Sequence, residues 1–232
     1  MKRVTLRHIT VFTTLMISFG ATAAAGDQTV FIGYSQANAD WVKRAVRSNG
    51  NLYDVALQSS NVFGGDLKKT RDNNKSIAGG FIKYRYEFDN SWGAIVSADY
   101  LLGEYGNTID RTRQSANGGQ DDRWHYKNRV KADHFTLMAG PTYRINELLS
   151  IYGMLGLAYS HLGTSSNSHQ FINGIYAERT SNSHVENNFS IASSVGLQVN
   201  VWKDLVVDTS YELSGSGDWQ TSGFTVGLGY RF

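Results

Sequence analysis

Ser222-Gly223-Phe224-Thr225-Val226-Gly227-Leu228-Gly229-Tyr230-Arg231-Phe232 closes the sequence. Phe224, Val226, Leu228, Tyr230 and Phe232 fall on one face of a strand, and Thr225, Gly227, Gly229 and Arg231 fall on the other. An apolar face that runs to a terminal aromatic has little use in a soluble sandwich. It fits a lipid-facing strand of a transmembrane β-barrel, which needs about ten residues with lipid outside and small or polar groups inside.

Upstream, the same period-2 alternation recurs and predicts eight strands. Val30, Ile32 and Tyr34 oppose Phe31, Gly33 and Ser35, and Ile82, Tyr84, Tyr86 and Phe88 oppose Lys83, Arg85 and Glu87. A strand over Ala94–Tyr105 follows the turn Asp89-Asn90-Ser91, and the next runs through Val130–Ile145, with Pro141 removing one ladder donor. Ser150–Leu162, Phe189–Trp202, a strand carrying Leu205 to Leu213 and the terminal strand complete the set. Their connections alternate in length. Residues 89–92, 146–149 and 203–204 are short, whereas about 38–78, 106–128, 163–187 and 214–221 are long. Short periplasmic turns and long external loops are the arrangement of outer-membrane barrels. The expected fold is therefore all-β: an eight-stranded antiparallel transmembrane β-barrel, with a secreted β-sandwich as the alternative. Phe88, Trp92, Tyr143, Trp202, Tyr230 and Phe232 read as a periplasmic aromatic girdle, and Tyr100, Tyr105, Tyr159 and Trp219 as an outer one.

The N-terminus reads as a signal peptide over residues 1–25. Lys2, Arg3 and Arg7 precede an apolar Ile9–Phe19, and Ala21-Thr22-Ala23-Ala24-Ala25 offers cleavage after Ala25 or, alternatively, Ala23. That leaves residues 26–232 as one barrel domain. The segment carries three basic and no acidic residues, so the formal charge of +2 becomes −1 on its removal. No strongly basic domain then remains, and nucleic acid is not an expected partner. The chain has no cysteine, which excludes a disulfide scaffold and thiol chemistry in an exported protein.

An eight-stranded barrel is only wide enough to hold its own side chains. Inward charges must then pair, because isolated charge in a low-dielectric interior is costly. Lys83, Arg85, Arg144 and Arg231 are the inward cations, and Glu87, Asp208 and Glu212 the inward anions. The expected result is a structural network that plugs the lumen, with an ion pathway as the sharper alternative. Catalytic signals are weak. Ser160 and His161 are adjacent on a strand and so face opposite sides, and a Ser–His pair works only within hydrogen-bond reach. Ser165, Ser166, His169 and His184 follow, but the spacing of the two histidines matches no metal-ligand motif. No enzyme activity, cofactor or metal is expected.

The external connections carry the likelier chemistry. Residues 39–78 hold seven basic residues, Lys43, Arg44, Arg47, Lys68, Lys69, Arg71 and Lys75, against four acidic ones, for a net +3. The same stretch has Trp41, Tyr53, Leu57, Val62 and Phe63, and Asn51–Phe63 is a candidate strand extension or small hairpin. The second connection interleaves Arg111, Arg113, Arg123 and Lys127 with Trp124 and Tyr126, and Arg129 and Lys131 stand at the outer rim, within reach of lipopolysaccharide phosphates. Bases among aromatics suit sulfates, phosphates and protein surfaces, although ordinary solvated loops carry such charges too.

Several stretches resemble the Ail/Lom family of enterobacterial outer-membrane proteins. They are Val30–Gln36, the KYRYEF of Lys83–Phe88, Asp89–Gly93, the GPTYRINE of Gly140–Glu147, Ser150–Gly156 and Gly227–Phe232. A last strand ending in Phe also resembles the signal by which such proteins are recognised for assembly. The resemblance implies a non-pore, monomeric barrel in the outer membrane, in contact with lipid and lipopolysaccharide. It implies loops that serve adhesion, host-cell entry or resistance to complement, with host extracellular-matrix proteins or complement regulators as partners. A structural barrel of the OmpX kind, supporting the envelope, is the other reading. The first three external connections look longer than the family's, so no contact residue carries over.

Overall fold

The protein is described here by a computed structural model covering residues 27–42, 44–45, 66–71, 76–114, 119–202 and 204–232. The expected signal peptide, Lys43, Arg47, Lys75 and the Asn51–Phe63 stretch lie outside these residues. Nine strands are described: β1 (Gln28–Ala39), β2 (Asp66–Arg71), β3 (Ser76–Glu87), β4 (Trp92–Arg113), β5 (Asp122–Arg144), β6 (Leu149–Ile172), β7 (Ile175–Trp202), β8 (Leu205–Ser214) and β9 (Thr221–Arg231). Eight of them close a ring in the order β1-β3-β4-β5-β6-β7-β8-β9, with every neighbouring pair antiparallel. The terminal strand lies beside the first, from Thr29 opposite Arg231 to Ala39 opposite Thr221. Phe232 completes the seam, its N–H donating to the Gln28 carbonyl at 2.9 Å. Closure leaves no unpaired edge in the hydrocarbon, where an unsatisfied backbone group is costly.

The alternation resolves as expected in the membrane-spanning part. Ile32, Leu155, Leu157, Ile191, Val195 and Leu228 point outward as a continuous apolar band. The small inward residues have a packing reason. Gly33, Gly227 and Gly229 lie where an added Cβ would strike the rings of Phe81 or Phe31, so the inward side of β1 and β9 is thin enough to admit two buried phenyl groups. Pro141 interrupts only one side of β5. The ladder to β4 runs through it, while pairing with β6 skips Gly140 and Pro141 without a change of register.

Strand length departs from the sequence-based expectation. β4 to β7 have 22, 23, 24 and 28 residues. At about 3.3 Å per residue, the longest reaches some three times the ~30 Å of hydrocarbon along its own axis. The segments 106–128 and 163–187, expected as loops, are mostly strand. They form an external sheet in the order β2-β4-β5-β6-β7, to which β2 adds by pairing Asp66–Arg71 with Asn107–Thr112. The β6–β7 connection shrinks to Asn173-Gly174, at φ 55° and 77°. Positive φ at both central residues is the signature of a two-residue hairpin turn whose twist matches the strands.

Candidate functional site

Inside the ring the polar residues stack in layers. At the periplasmic end, the Arg85 guanidinium donates to Gln198 at 2.6 Å and Thr29 at 3.2 Å and pairs with Glu87 at 3.2 Å. Arg144 bridges Glu87 and Asp27, and Arg231 stands 3.5 Å from Asp27. One layer up, the buried Lys83 ammonium, with three N–H groups to share, lies within hydrogen-bond distance of four oxygens: Asp208 at 2.8 Å, Tyr152 and Ser210 at 2.9 Å and Thr225 at 3.0 Å. Tyr152 and Gln198 in turn donate to Asp208, each at 2.9 Å. Six of the seven charges expected in the lumen are thus joined in ion pairs. Glu212 is different: its Oε1 makes no hydrogen bond among the described residues, and it lines a cavity of about 10 Å³ with His134 and Ser214. Asp27 and Asp99 are members that the sequence reading missed. Asp99 accepts from Ser97 at 2.7 Å.

Above these layers an apolar plug closes the outer mouth. Trp41 and Val42, in a helical turn over residues 40–42, fold in against Ala37, Ile77, Leu101, Tyr105, Val130, Ala132 and Leu162. The Trp41 indole N–H donates to Thr221 at 3.0 Å, and its ring lies 4.8 Å from that of Trp219. Tyr105 and Trp219, expected in the outer girdle, therefore belong to the plug. The periplasmic girdle residues all stand exposed on the lipid side. Filled, charge-paired layers under an apolar plug support a packed interior rather than an ion pathway.

Ser160 has a histidine partner, but it is not His161. His134 Nδ1 lies 2.8 Å from Ser160 Oγ and His134 Nε2 lies 3.1 Å from Ser214 Oγ, all three buried under the plug. A nucleophile there would meet neither lipid nor solvent. His161 instead points outward, 2.6 Å from Asn187. His169 and His184 fall on opposite faces of the external sheet, since His169 is level with Arg179 and His184 with the inward Thr164. They do not converge on a metal. Among the described residues no three metal-ligating side chains come together.

The external sheet offers a surface instead. Above the membrane the faces of β5 exchange character. Trp124, Tyr126, Asn128, Val130 and Ala132 turn inward and are buried, while Arg123, Lys127, Arg129 and Lys131 turn outward and are exposed, with His125 half-exposed among them. The five outward positions recur every second residue and occupy about 27 Å of strand at ~3.4 Å per residue. Arg129 pairs with Glu104 at 3.0 Å and His125 pairs with Asp110, both on β4. The neighbouring outward positions on β6, namely Gly163, Ser165, Asn167 and His169, carry no acid. A column of like charge beside an uncharged polar strand is a surface for an extended anion.

Several expected contacts are positioned otherwise. Arg111 and Trp124 face one another across β4 and β5 on the inner, buried side, so they are withdrawn from any external ligand. Arg113 pairs with Asp122 at 3.2 Å at the far tip. Lys68 is exposed on β2 opposite Asp110, and Lys69 and Arg71 belong to the same short strand. Arg44 is exposed on the plug helix. Lys131 stands outward at the rim as expected, and His125 and Arg179 join the outward set, which a reading of their segments as loops has no means to align.

Known proteins agree with this architecture. The family model for the enterobacterial Ail/Lom protein matches residues 48–232. Outer membrane protein Lom of Escherichia phage lambda is 34% identical over 156 residues, 65% of this chain and 71% of that protein. The virulence membrane protein PagC of Salmonella typhimurium is 30% identical over 186 residues, 78% of this chain and 91% of that one. The crystal structure of Ail, the attachment invasion locus protein of Yersinia pestis, superposes with a TM-score of 0.55 at 25% identity, covering 90% of this chain and all of that one. Ail has also been crystallised with the heparin analogue sucrose octasulfate. This chain belongs to the Ail/Lom family of enterobacterial outer-membrane proteins and is an outer-membrane β-barrel.

Proposed function

We propose that this protein is a surface adhesin of the Ail type, whose external sheet holds sulfated polyanions of the host matrix, with resistance to complement as the related role of the same surface. The observation that carries the reading is the outward column Arg123, Lys127, Arg129 and Lys131 beside the acid-free face of β6. Exposed ion pairs are individually weak, about 0.2–1 kcal/mol, so a single-residue contact would be poor. Four or five in a line act together on a chain that bears many anions, and release of its counterions adds to the affinity. Ail itself, solved with a sulfate-rich ligand, lends support from the same fold.

The test is adhesion of a non-adherent laboratory bacterium to heparin-coated, fibronectin-coated and laminin-coated wells. The native protein is compared with R123Q/K127Q/R129Q/K131Q and with a barrel whose residues 40–76 are replaced by a short turn. Loss of adhesion by at least about tenfold in the quadruple variant is expected. Undiminished adhesion in that variant, with loss in the shortened one, would move the site to the first connection. A second reading rests on Arg129 and Lys131 standing lowest in the column, nearest the membrane. There they suit lipopolysaccharide phosphates, and R129Q/K131Q cells would then become sensitive to detergent while still adhering.

A further inference from the structure

One row of side chains crosses the cationic column at right angles. Lys68 on β2 lies level with Asp110 on β4, Asp110 with His125 on β5, His125 with His169 on β6, and His169 with Arg179 on β7. All five turn to the outer face. The two imidazole rings are stacked, with centroids 6.4 Å apart and planes 28° apart. His125 Nδ1 is bonded to the Asp110 carboxylate, and the two side chains are 43% and 45% exposed. The Tyr176 ring lies 6.3 Å from that of His169 on its other side. Arg123 and Lys127 flank His125 along its own strand, while His169 has Asn167 and Phe171 as its outward neighbours. Of the charged and titratable groups facing the pair among the described residues, Lys68, Arg123, Lys127 and Arg179 are cationic. Asp110 is the acid of this set.

We propose that the cross-strand pair His125 and His169 makes the external sheet an acid-strengthened receptor for sulfated polyanions. The proposal rests on the polyanion reading above and adds its regulation. Histidine is the side chain that ordinarily gains its charge between pH 5 and 8. The pair stands at the centre of the row, flanked by Lys68, Arg123, Lys127 and Arg179, with Asp110 held against His125. On protonation His125 neutralises Asp110, and His169 places a new cation between Lys127 and Arg179. Two imidazolium rings side by side repel one another, and that repulsion is relieved when a sulfate sits between them. The same sulfate favours protonation, so ligand binding and proton uptake reinforce each other. Both rings are open to solvent, so neither burial nor a backbone change is needed for the response.

The measurement is binding of sucrose octasulfate and of dextran sulfate to the full barrel in nanodiscs at pH 7.4 and pH 5.5, at fixed ionic strength. The native protein should bind about three- to tenfold more tightly at pH 5.5. The dependence of log affinity on log salt should steepen by up to about two charges. In H125Q/H169Q the affinities at the two pH values should be equal, whatever the variant's affinity at neutral pH. H161Q/H184Q, which changes two histidines elsewhere on the sheet, should keep the gain. Equal affinity of the native protein at both pH values would overturn the proposal while leaving polyanion binding intact, as would an acid gain that survives in H125Q/H169Q. No binding at either pH would overturn the polyanion reading itself, and the proposal with it.

Discussion

β5 crosses two environments, and its two halves teach opposite lessons. From Phe135 to Tyr143 its outward residues are Phe135, Leu137, Ala139, Pro141 and Tyr143, while Thr136, Met138, Gly140 and Thr142 point inward. From Arg123 to Lys131 the outward residues are charged or titratable, and the inward ones include Trp124, Tyr126 and Val130. The backbone is the same continuous antiparallel ladder. What inverts is the solvent. Lipid demands an apolar exterior and leaves the polar groups to satisfy one another inside, whereas water reverses the assignment. The boundary falls near Asp133, so the strand itself marks the membrane surface. The lower half of the strand anchors the protein, and the upper half presents charge.

The comparison can be broken first from within the lumen. Lys83→Met leaves the Asp208 carboxylate buried without its cation, a loss of about 3–5 kcal/mol in the usual range for such pairs. The denaturant midpoint of the folded barrel in micelles should fall sharply, and K83M/D208N should recover a large part of it. An unchanged midpoint for Lys83→Met would mean that the layered network does not hold the barrel. A gentler test uses one face of one strand. Leu157 and Ser165 are both outward on β6, Leu157 in the apolar band and Ser165 in the external sheet beside Arg129. Leu157→Arg should cost about 2–4 kcal/mol of barrel stability near the bilayer midplane. Ser165→Arg should change it by no more than about 0.5 kcal/mol. Equal costs at the two positions would place the membrane boundary elsewhere.

The lower half is legible in the sequence because two signals agree there. Alternation sets the strands, and the short turns at Asp89–Ser91 and Asn146–Glu147 set their register. Inward charges on Lys83, Arg85 and Asp208 can be named because only one face of each strand is apolar. The upper half is harder because the apolar face changes sides. Arg123-Trp124-His125-Tyr126-Lys127-Asn128-Arg129-Val130 alternates as strictly as any spanning strand, but its charges read as loop. Phe171-Ile172-Asn173-Gly174-Ile175-Tyr176 also holds the short-range signal of a hairpin, an Asn-Gly pair between apolar flanks. That pair sets the turn between β6 and β7, but a register shift at Gln170/Phe171 separates it from the level of His169. The alignment of His169 with His125 comes from the β5–β6 ladder. Asp99 escapes a reading that assigns no face to its strand. The Trp41 plug depends on contacts 180 residues apart, such as Trp41 to Thr221, which no local pattern encodes.

The hairpin tip gives the third test. Gly174→Val puts a β-branched residue at φ 77°, a strain of about 1–3 kcal/mol. The added Cβ also meets the Gln120 side chain, whose flexible end can move away. Because the tip is far from the lumen layers, the effect should stay local. Protease should cut between Phe171 and Tyr176 faster than in the native protein, with the denaturant midpoint of the barrel unchanged. A fall in that midpoint would show the external sheet and the spanning barrel to be one cooperative unit, and the contrast between the two halves would lose its energetic meaning.

The smallest effect is expected at the opposite pole, in the periplasmic turn. Asp89 accepts hydrogen bonds from the Trp92 and Ser91 N–H groups, each at 2.7 Å, and these two bonds hold its carboxyl below the usual carboxylate range. A lowered value in the folded state means that the stabilisation is fully present above the unfolded carboxylate value of about 3.9 and is lost as pH falls through the folded one. The turn is fully exposed, so solvent weakens the contribution. Asp89→Ala should therefore shift the midpoint slightly at neutral pH and not at all at strongly acid pH, where the native carboxyl is itself protonated. The sign of that dependence is the informative part, because the acid-strengthened response proposed for the external sheet runs the other way. Acid should loosen the periplasmic turn of this chain while tightening the grip of its outer face, and a chain with Asp89→Ala should lose the first response and keep the second.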